Sequence, residues 1–359
     1  MFSIIDRYIA KSFLVYFFAG LLVFVVLFLS VDFMSTFAQN EASLPILGRY
    51  YLYYLPGIVY QMLPIACLLA TLFTLSALNR SHELIALFSM GQSLARISAP
   101  ILVAVAIISV LSFWMGDRIL PRFTQKKNYV WYVEILKQPG RYATVKTNKI
   151  WYRSENVLFN ISSLNAKEEK AQGLSFYYFD SNWQLIQMIQ AKVAEMKGEV
   201  WNLTDGAITL FAQESTFPLS KKFKKKSITM NKDVVDLGKS SQPSEVQSLD
   251  ELKYFIQQNK EAGLDTMHYE VDYHRKIGFA FAAFIMSLMG IPFSVSSQRS
   301  GKGFANIGLC VGLAFLYWMC FSSSITLGKN GMLPPLLAAW LPNGVMGGFA
   351  GFFLMRLKK

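Results

Sequence analysis

Between two long apolar stretches lies Arg80-Ser81-His82-Glu83-Leu84-Ile85-Ala86-Leu87-Phe88-Ser89-Met90-Gly91, whose residue types suit a reversible protein contact. At helical spacing Leu84, Leu87 and Phe88 share one face and Arg80 and Glu83 fall on another, so the segment reads as a short amphipathic helix. Such a helix could lie flat in the headgroup layer. It could also dock in a groove of a soluble partner, with Glu83 as a charged anchor that is made and broken as the partner changes shape. Two arginines elsewhere, Arg118 and Arg122, stand one turn apart at the end of another apolar stretch, with Lys126 and Lys127 following. Long cationic side chains in that position commonly snorkel and anchor a helix at the interface. The other chemistry open to them is a phosphate-binding patch for an anionic lipid headgroup, because guanidinium forks match phosphate oxygens.

Further runs carry weaker signals. Lys221-Lys222-Phe223-Lys224-Lys225-Lys226 reads as a solvated loop, or as an edge strand kept from pairing by its charge. Gly344, Gly347, Gly348 and Gly351 make two overlapping small-xxx-small motifs, a smooth face for a second helix of this chain or of another subunit. The groups that catalysis or metal binding would need are missing. Gly301-Lys302 lacks the leading glycine and the following Ser or Thr of a phosphate loop, so the chain is not expected to hydrolyse ATP. His82, His268 and His274 have no metal-site spacing, and no convincing nucleophile or acid-base pair lies near a membrane face. No catalytic residue, metal or cofactor is expected. Asp32 and Asp117 lie at the ends of apolar stretches, not in the middle, so the relay of proton-coupled transport is missing too.

The elements that must position these residues are membrane helices. Hydrophobic residues make up 53% of the 359, too many for an ordinary soluble protein, and they are clustered. Phe13 to Val31, Ala99 to Gly116, Ile277 to Ser297, Phe304 to Leu327 and Met332 to Met355 each run for about 18 residues or more with almost no charge, enough to cross roughly 30 Å of hydrocarbon. A sixth stretch, Leu55 to Leu78, is interrupted by Pro64 but carries no charge. Six spans put both termini on one side, together with Arg7, Lys11, Arg80, Arg96, Arg299, Lys302, Arg356, Lys358 and Lys359. Only Arg49 and Lys329 lie in the short linkers opposite, which makes the termini cytoplasmic. Arg118, Arg122, Lys126, Lys127, Arg275 and Lys276 flank spans on the outer side and work against that asymmetry.

Arg7 and Lys11 precede the first span as they would in an export signal. The apolar run is too long and the small-residue site near Thr36 to Ala38 too poor for cleavage, so an uncleaved helix is expected. Cys67, Cys310 and Cys320 all fall inside spans, so the rest of the chain must fold without disulfides. A net charge of +12 would suit nucleic acid, but the cations sit beside membrane segments, and anionic lipid is the simpler partner.

The region from about Arg122 to Lys276 changes character. Lys149 to Arg153, Val157 to Ile161, Leu174 to Phe179, Gln184 to Val193, Val200 to Leu203 and Ala207 to Phe211 are rich in aromatic and β-branched residues. Asp180-Ser181-Asn182, Lys197-Gly198 and Asp205-Gly206 punctuate them as hairpin turns, giving an antiparallel β domain, a sandwich or open barrel, and not an α/β nucleotide-binding fold. A polar stretch, Lys239 to Gln247, then leads into Ser248-Leu249-Asp250-Glu251, a capping box opening a helix with Leu252, Phe255 and Ile256 on one face and an end near Gly263.

In order along the chain stand Ile5-Asp6-Arg7-Tyr8-Ile9, Arg80-Ser81-His82-Glu83-Leu84 with Met90-Gly91, Ser248-Leu249-Asp250-Glu251-Leu252, Tyr269 to Lys276, Gly290-Ile291-Pro292-Phe293-Ser294, and Arg299-Ser300-Gly301. With this three-span, β-domain, three-span layout the chain resembles the LptF/LptG permeases of the lipopolysaccharide export machine. The opening motif and Leu333-Pro334-Pro335 to Leu341-Pro342-Asn343 look more like the LptG branch.

The resemblance implies an ABC transporter permease of the inner membrane of a Gram-negative bacterium, with six transmembrane helices and a jellyroll-like periplasmic domain. Residues 1–121 would hold spans one to three and a coupling helix at about 80–97, residues 122–265 the β domain, and residues 266–359 spans four to six. Implied partners are an LptB-like ATPase dimer below, an LptF-like second permease, an LptC-like periplasmic bridge, lipopolysaccharide and the membrane, with no nucleic acid. Arg80, Glu83, Leu84, Leu87, Phe88 and Gly91 would couple to the ATPase, and Arg118, Arg122, Lys126 and Lys127 would contact lipid A phosphates. The chain departs from the pattern at Ser30-Val31-Asp32, where related LptG chains can carry a lysine. Two rival readings stand beside this one. A permease for lipoproteins or other amphipathic molecules would typically have four spans, and a membrane-embedded lipid-modifying enzyme would need the acid-base pair not found above.

Overall fold

The structure is a computed structural model describing residues 3–39, 43–138, 144–145, 150–154, 156–165, 169–181, 183–197, 200–211, 218–229, 243–261, 265–296 and 303–357. Among the described residues, six helices are long and apolar enough to cross a membrane. They are Ile4–Gln39, Leu44–Arg80, Leu94–Ile135, Met267–Ser296, Gly303–Lys329 and Pro335–Leu357. The chain is therefore a polytopic helical membrane protein, three spans on either side of a β insert. It divides into two compact units, one of residues 1–127, 248–252 and 267–359, the other of residues 128–247 and 253–266.

In the helical unit the fourth span is central and packs against the second, third, fifth and sixth. Lipid tails are as apolar as leucine, so helices in a bilayer associate through close approach and hydrogen bonds. Both are present. Gly290 lies so near the second span that a Cβ would meet the Leu68 carbonyl oxygen at 3.1 Å, and Gly278 is as tightly placed over the Ala339 carbonyl, at 2.8 Å. The hydroxyls of Thr71 and Ser287 bond each other across the same second-to-fourth contact. Tyr317 Oη donates to Asn343 Oδ1 at 2.9 Å and Asn343 Nδ2 donates to the Gly278 carbonyl at 2.8 Å, a buried polar chain through spans five, six and four. Two-thirds of the apolar windows of spans two and four are buried, against 11% for span one, so the first helix is held by this chain along only a small part of its surface.

The third span does not stop at Gly116. It passes through a π-helical turn, Met115–Ile119, into Leu120–Tyr129 and a second π segment, Val130–Ile135. The capping box forms as the sequence predicts: Ser248 N–H donates to Glu251 Oε2 at 2.8 Å and Glu251 N–H to Ser248 Oγ at 3.3 Å, opening the helix Leu249–Glu261. Leu252 and Phe255 are buried and Ile256 is half-buried. Residues 239–242 and Gly263 lie outside the described residues.

The expected antiparallel β domain is present as one sheet. Its strands are β1 (Thr144–Val145), β2 (Ile150–Ser154), β3 (Val157–Asn165), β4 (Lys170–Phe179), β5 (Leu185–Lys197), β6 (Val200–Leu210) and β7 (Leu219–Thr229). From β3 to β7 each strand pairs with the next, while β1 and β2 share the outer edge of β3. The turn at Asp180 links β4 to β5, its carboxylate accepting the Gln184 N–H at 2.8 Å. Lys197 pairs with Val200, while Gly198 lies outside the described residues. The lysine run Lys221–Lys226 is in β7, the last strand of the sheet among the described residues, and mostly exposed, so the edge-strand reading is the one realised.

One turn is not realised. Asp205-Gly206, expected to end one strand and start another, lies inside β6, and the pairing on both sides continues without a shift of register. The reason lies in the alignment of the strands. Ser162, Gly173, Lys192, Asp205 and Lys224 occupy one line across β3 to β7, between pairs such as Ile161↔Leu174 and Ser163↔Gln172. At this line the inward alternation switches: Leu174, Ile189 and Ile208 face the core before it, Ala171, Ala194 and Leu203 after it. One extra residue per strand flips every side chain to the other face. Because all four ladders flip together, both halves of the sheet face a single core around Phe159, Phe176 and Trp201.

The line is crossed with positive φ at Gly173 (64°) and Asp205 (52°). Gly206 has no room for a side chain, since a Cβ would overlap the Gln190 carbonyl and the Phe223 ring. Gly206→Ala is expected to destabilise the β unit by about 1–2 kcal/mol. The check is faster proteolysis within Val200–Leu210, with cleavage in the helical unit unchanged.

Candidate functional site

The amphipathic segment folds as the helix Glu83–Ser89. Its ends follow from local chemistry. His82, at φ 61°, breaks the preceding helix, and Gly91, at φ 78°, closes the next one. Gly91 N–H donates to the Phe88 carbonyl and Gln92 N–H to the Leu87 carbonyl, the paired bonds of a Schellman cap. Leu84 and Leu87 are buried in a cluster with Ile9, Phe13, Leu78, Ile97 and Ile101, so the helix is fastened to spans one, two and three. Phe88, placed on the same face by spacing, is instead 39% exposed beside Ile85 and Met90, which leaves an apolar outer surface. Glu83 is half-buried and accepts a long hydrogen bond, 3.5 Å, from Tyr8 Oη. Arg80 is exposed in the last turn of the second span.

The cations at the other end of the third span are brought together with aromatic rings. Lys126 Nζ lies 5.7 Å from the Tyr53 ring centre and Lys127 Nζ 4.9 Å from that of Tyr54. Tyr50, Tyr51, Phe28 and Phe33 extend this aromatic group across spans one and two, as expected of side chains with one apolar and one wet end. Asp32 accepts a hydrogen bond from Tyr51 Oη at 2.9 Å. Arg122 is exposed. Arg118 is 60% exposed but engaged, with Asp117 at 3.3 Å and Asp250 at 3.5 Å. Asp117 also accepts the Leu249 N–H at 2.7 Å, joining the π-helical turn to the start of the next helix. Of the glycine face on the last span, a Cβ at Gly347 would meet Ile285 at 3.4 Å, whereas one at Gly344, Gly348 or Gly351 would meet nothing within 4 Å among the described residues.

Two ion-pair groups were not read from the sequence. Asp6, in the first turn of span one, pairs with Arg96, in the first turn of span three, at 2.9 Å. Asp272 is 1% exposed and binds Lys329 at 2.8 Å and Arg275 at 3.0 Å, with His268 at 3.6 Å. Helical spacing makes Asp272 with Arg275 and His268 legible as i,i+3 and i,i+4 pairs. Nothing in the sequence points from Asp6 to Arg96 or from Asp272 to Lys329, which are ninety and fifty-seven residues apart.

A short helix packed against spans one, two and three, and a group of cations and aromatic rings near the other end of the third span, sit on six spans around a β insert, the architecture of a polytopic helical membrane protein. The chain belongs to the LptF/LptG family: the model of the lipopolysaccharide export system permease LptF/LptG matches residues 7–356. It is also similar to the lipopolysaccharide export system permease protein LptG of Haemophilus influenzae, 25% identical over 325 residues that cover 88% of each chain.

Proposed function

We propose that this chain is a non-catalytic permease subunit of an ABC-type exporter that lifts lipopolysaccharide out of the inner membrane of a Gram-negative bacterium. It would hand the lipid to a periplasmic β-jellyroll bridge of the LptC kind. The observation that carries this reading is the family match across both the helical and the β parts of the chain. ATP hydrolysis belongs to an LptB-like ATPase dimer on the cytoplasmic side, and a second, LptF-like permease completes the cavity. Both termini and the helix Glu83–Ser89 are then cytoplasmic, in keeping with the distribution of basic residues, and the sheet is periplasmic.

In this arrangement Arg80, Glu83, Leu84, Leu87, Phe88 and Gly91 have distinct tasks. Leu84 and Leu87 hold the helix down, Gly91 ends it, and Phe88 with Ile85 and Met90 offers the surface that a groove in the ATPase would cover. At the opposite face Arg118, Arg122, Lys126 and Lys127 form a cationic rim for lipid phosphates. Asp117 and Asp250 steady the Arg118 guanidinium and leave it partly open to a phosphate. The exposed apolar side of the first span, with Val15, Phe18, Leu22 and Val26, suits acyl chains.

Purification from native membranes followed by mass spectrometry of proteins and lipids tests the whole reading. An ATPase, a second permease and lipopolysaccharide are expected with the chain, and an isolated chain that modifies lipid would replace the reading with a membrane enzyme. Locating residues 125–265 in the cytosol would overturn the sidedness on which it depends. For the rim, Arg118→Glu with Arg122→Glu is expected to lower photo-crosslinking to lipopolysaccharide several-fold, about 1 kcal/mol per lost phosphate contact. Undiminished crosslinks would remove both arginines from the path of the lipid.

A further inference from the structure

A push on the helix Glu83–Ser89 has to travel into the membrane, and the contacts beneath it mark one route. Asp6 is 5% exposed and sits in the first turn of span one. Its carboxylate takes the Ser3 N–H at 2.9 Å and the Arg96 guanidinium at 2.9 Å. Arg96 in turn opens span three, where its own N–H is capped by Ser93 Oγ at 3.2 Å. One turn into span one, Tyr8 reaches Glu83. Between these polar contacts Leu84 and Leu87 are wedged among Ile9, Phe13, Ile97 and Ile101. The starts of spans one and three and the short helix thus form one packed body, and close-packed interiors transmit displacement because they compress little. Farther along, 11% of the first span's apolar window is buried, and its contacts there run to span two, at Tyr16–Phe73, Phe28–Tyr54 and Asp32–Tyr51.

We infer that Asp6 and Arg96 are positioning residues that clamp spans one and three together beneath the docking helix, so that the ATPase moves the first span through them. This rests on the docking reading above. Asp6 is buried and Arg96 half-exposed, so Arg96→Gln leaves a buried carboxylate unmatched, while Asp6→Asn removes the acceptor and releases the guanidinium to water; either change loosens the clamp.

The test uses the full chain with its copurified partners, reconstituted in vesicles of phosphatidylethanolamine, phosphatidylglycerol and lipopolysaccharide. Lipid released per ATP hydrolysed is the decisive quantity, because a static brace would lower hydrolysis and release together. Asp6→Asn and Arg96→Gln are expected to keep the ATPase bound within about twofold and to lower that ratio by about tenfold. The exchange of Asp6→Arg with Arg96→Asp, or the conservative Asp6→Glu and Arg96→Lys where the exchange does not fold, is expected to restore it to within about threefold.

An unchanged ratio in the single variants overturns the clamp. Loss of the ATPase in step with the ratio does so too, since Asp6 would then shape the docking surface itself. Failure of both the exchange and the conservative variants to recover the ratio shows that the ion pair is not the link. If the unaltered chain retains no ATPase, the docking reading fails first and the clamp falls with it.

Discussion

Glu83→Lys is expected to leave the chain inserted and its β unit folded, yet to cut ATP-driven lipid release by about a hundredfold. The geometry separates holding the helix in place from presenting its charge. Leu84 and Leu87 are the residues buried against spans one and three, so the helix stays where it is when position 83 changes. Glu83 stands at the edge of that packing, half-buried, with a long 3.5 Å bond to Tyr8 as its visible contact. Reversing its charge removes an acceptor from Tyr8 and sets a cation against whatever basic group of the ATPase the carboxylate would meet. Like charges facing each other in an interface cost several kcal/mol, enough for two decades of affinity or coupling. Insertion is checked by membrane fractionation, and release by lipopolysaccharide transfer from vesicles. Wild-type release by Glu83→Lys would mean that Ile85, Phe88 and Met90 make the contact without it. Leu84→Ala provides a contrast, since it is expected to loosen the helix itself.

What could be read from the sequence, and what could not, divides along the range of the interactions. Hydropathy over a window of helix-spanning length located all six spans, because a membrane imposes one rule on every residue in it. The capping box at Ser248 was legible for the opposite reason: its hydrogen bonds close within four residues. The apolar run of the third span ends at Gly116 because Asp117, Arg118 and a polar turn follow it. The helix continues through them by π-helical turns, with Asp117 capping a helix more than a hundred residues later. Asp205-Gly206 has turn chemistry, but the decisive fact is a line of extra residues in five strands at once, which no single strand reveals. Amphipathic spacing put Leu84, Leu87 and Phe88 together. Packing by span one covers the first two and leaves Phe88 outside, where a partner could use it.

Asp272→Ala is the change expected to cost the helical unit most, about 2–3 kcal/mol. Three cationic or protonatable side chains converge on this one buried carboxylate: Lys329 from the end of span five, Arg275 from the next turn of span four, and His268 from the turn before. A buried pair broken from one side costs about 3–5 kcal/mol, and an exposed one about 0–1 kcal/mol. Here the acid is 1% exposed, whereas Arg275 and Lys329 are 32% and 27% exposed and can recover some hydration, which sets the value between those limits. The loss falls on the contact between spans four and five, because Lys329 is the group that reaches across it. Thermal unfolding of the detergent-solubilised chain and the accessibility of a cysteine introduced at Gly331 measure it. Adding Lys329→Met to Asp272→Ala is expected to return more than half of the loss, since a cation without its counter-ion is then removed instead of left behind. A double variant no better than the single one would show that Asp272 acts through Arg275 alone, within span four, and that the hold on span five lies in the Tyr317–Asn343–Gly278 hydrogen bonds.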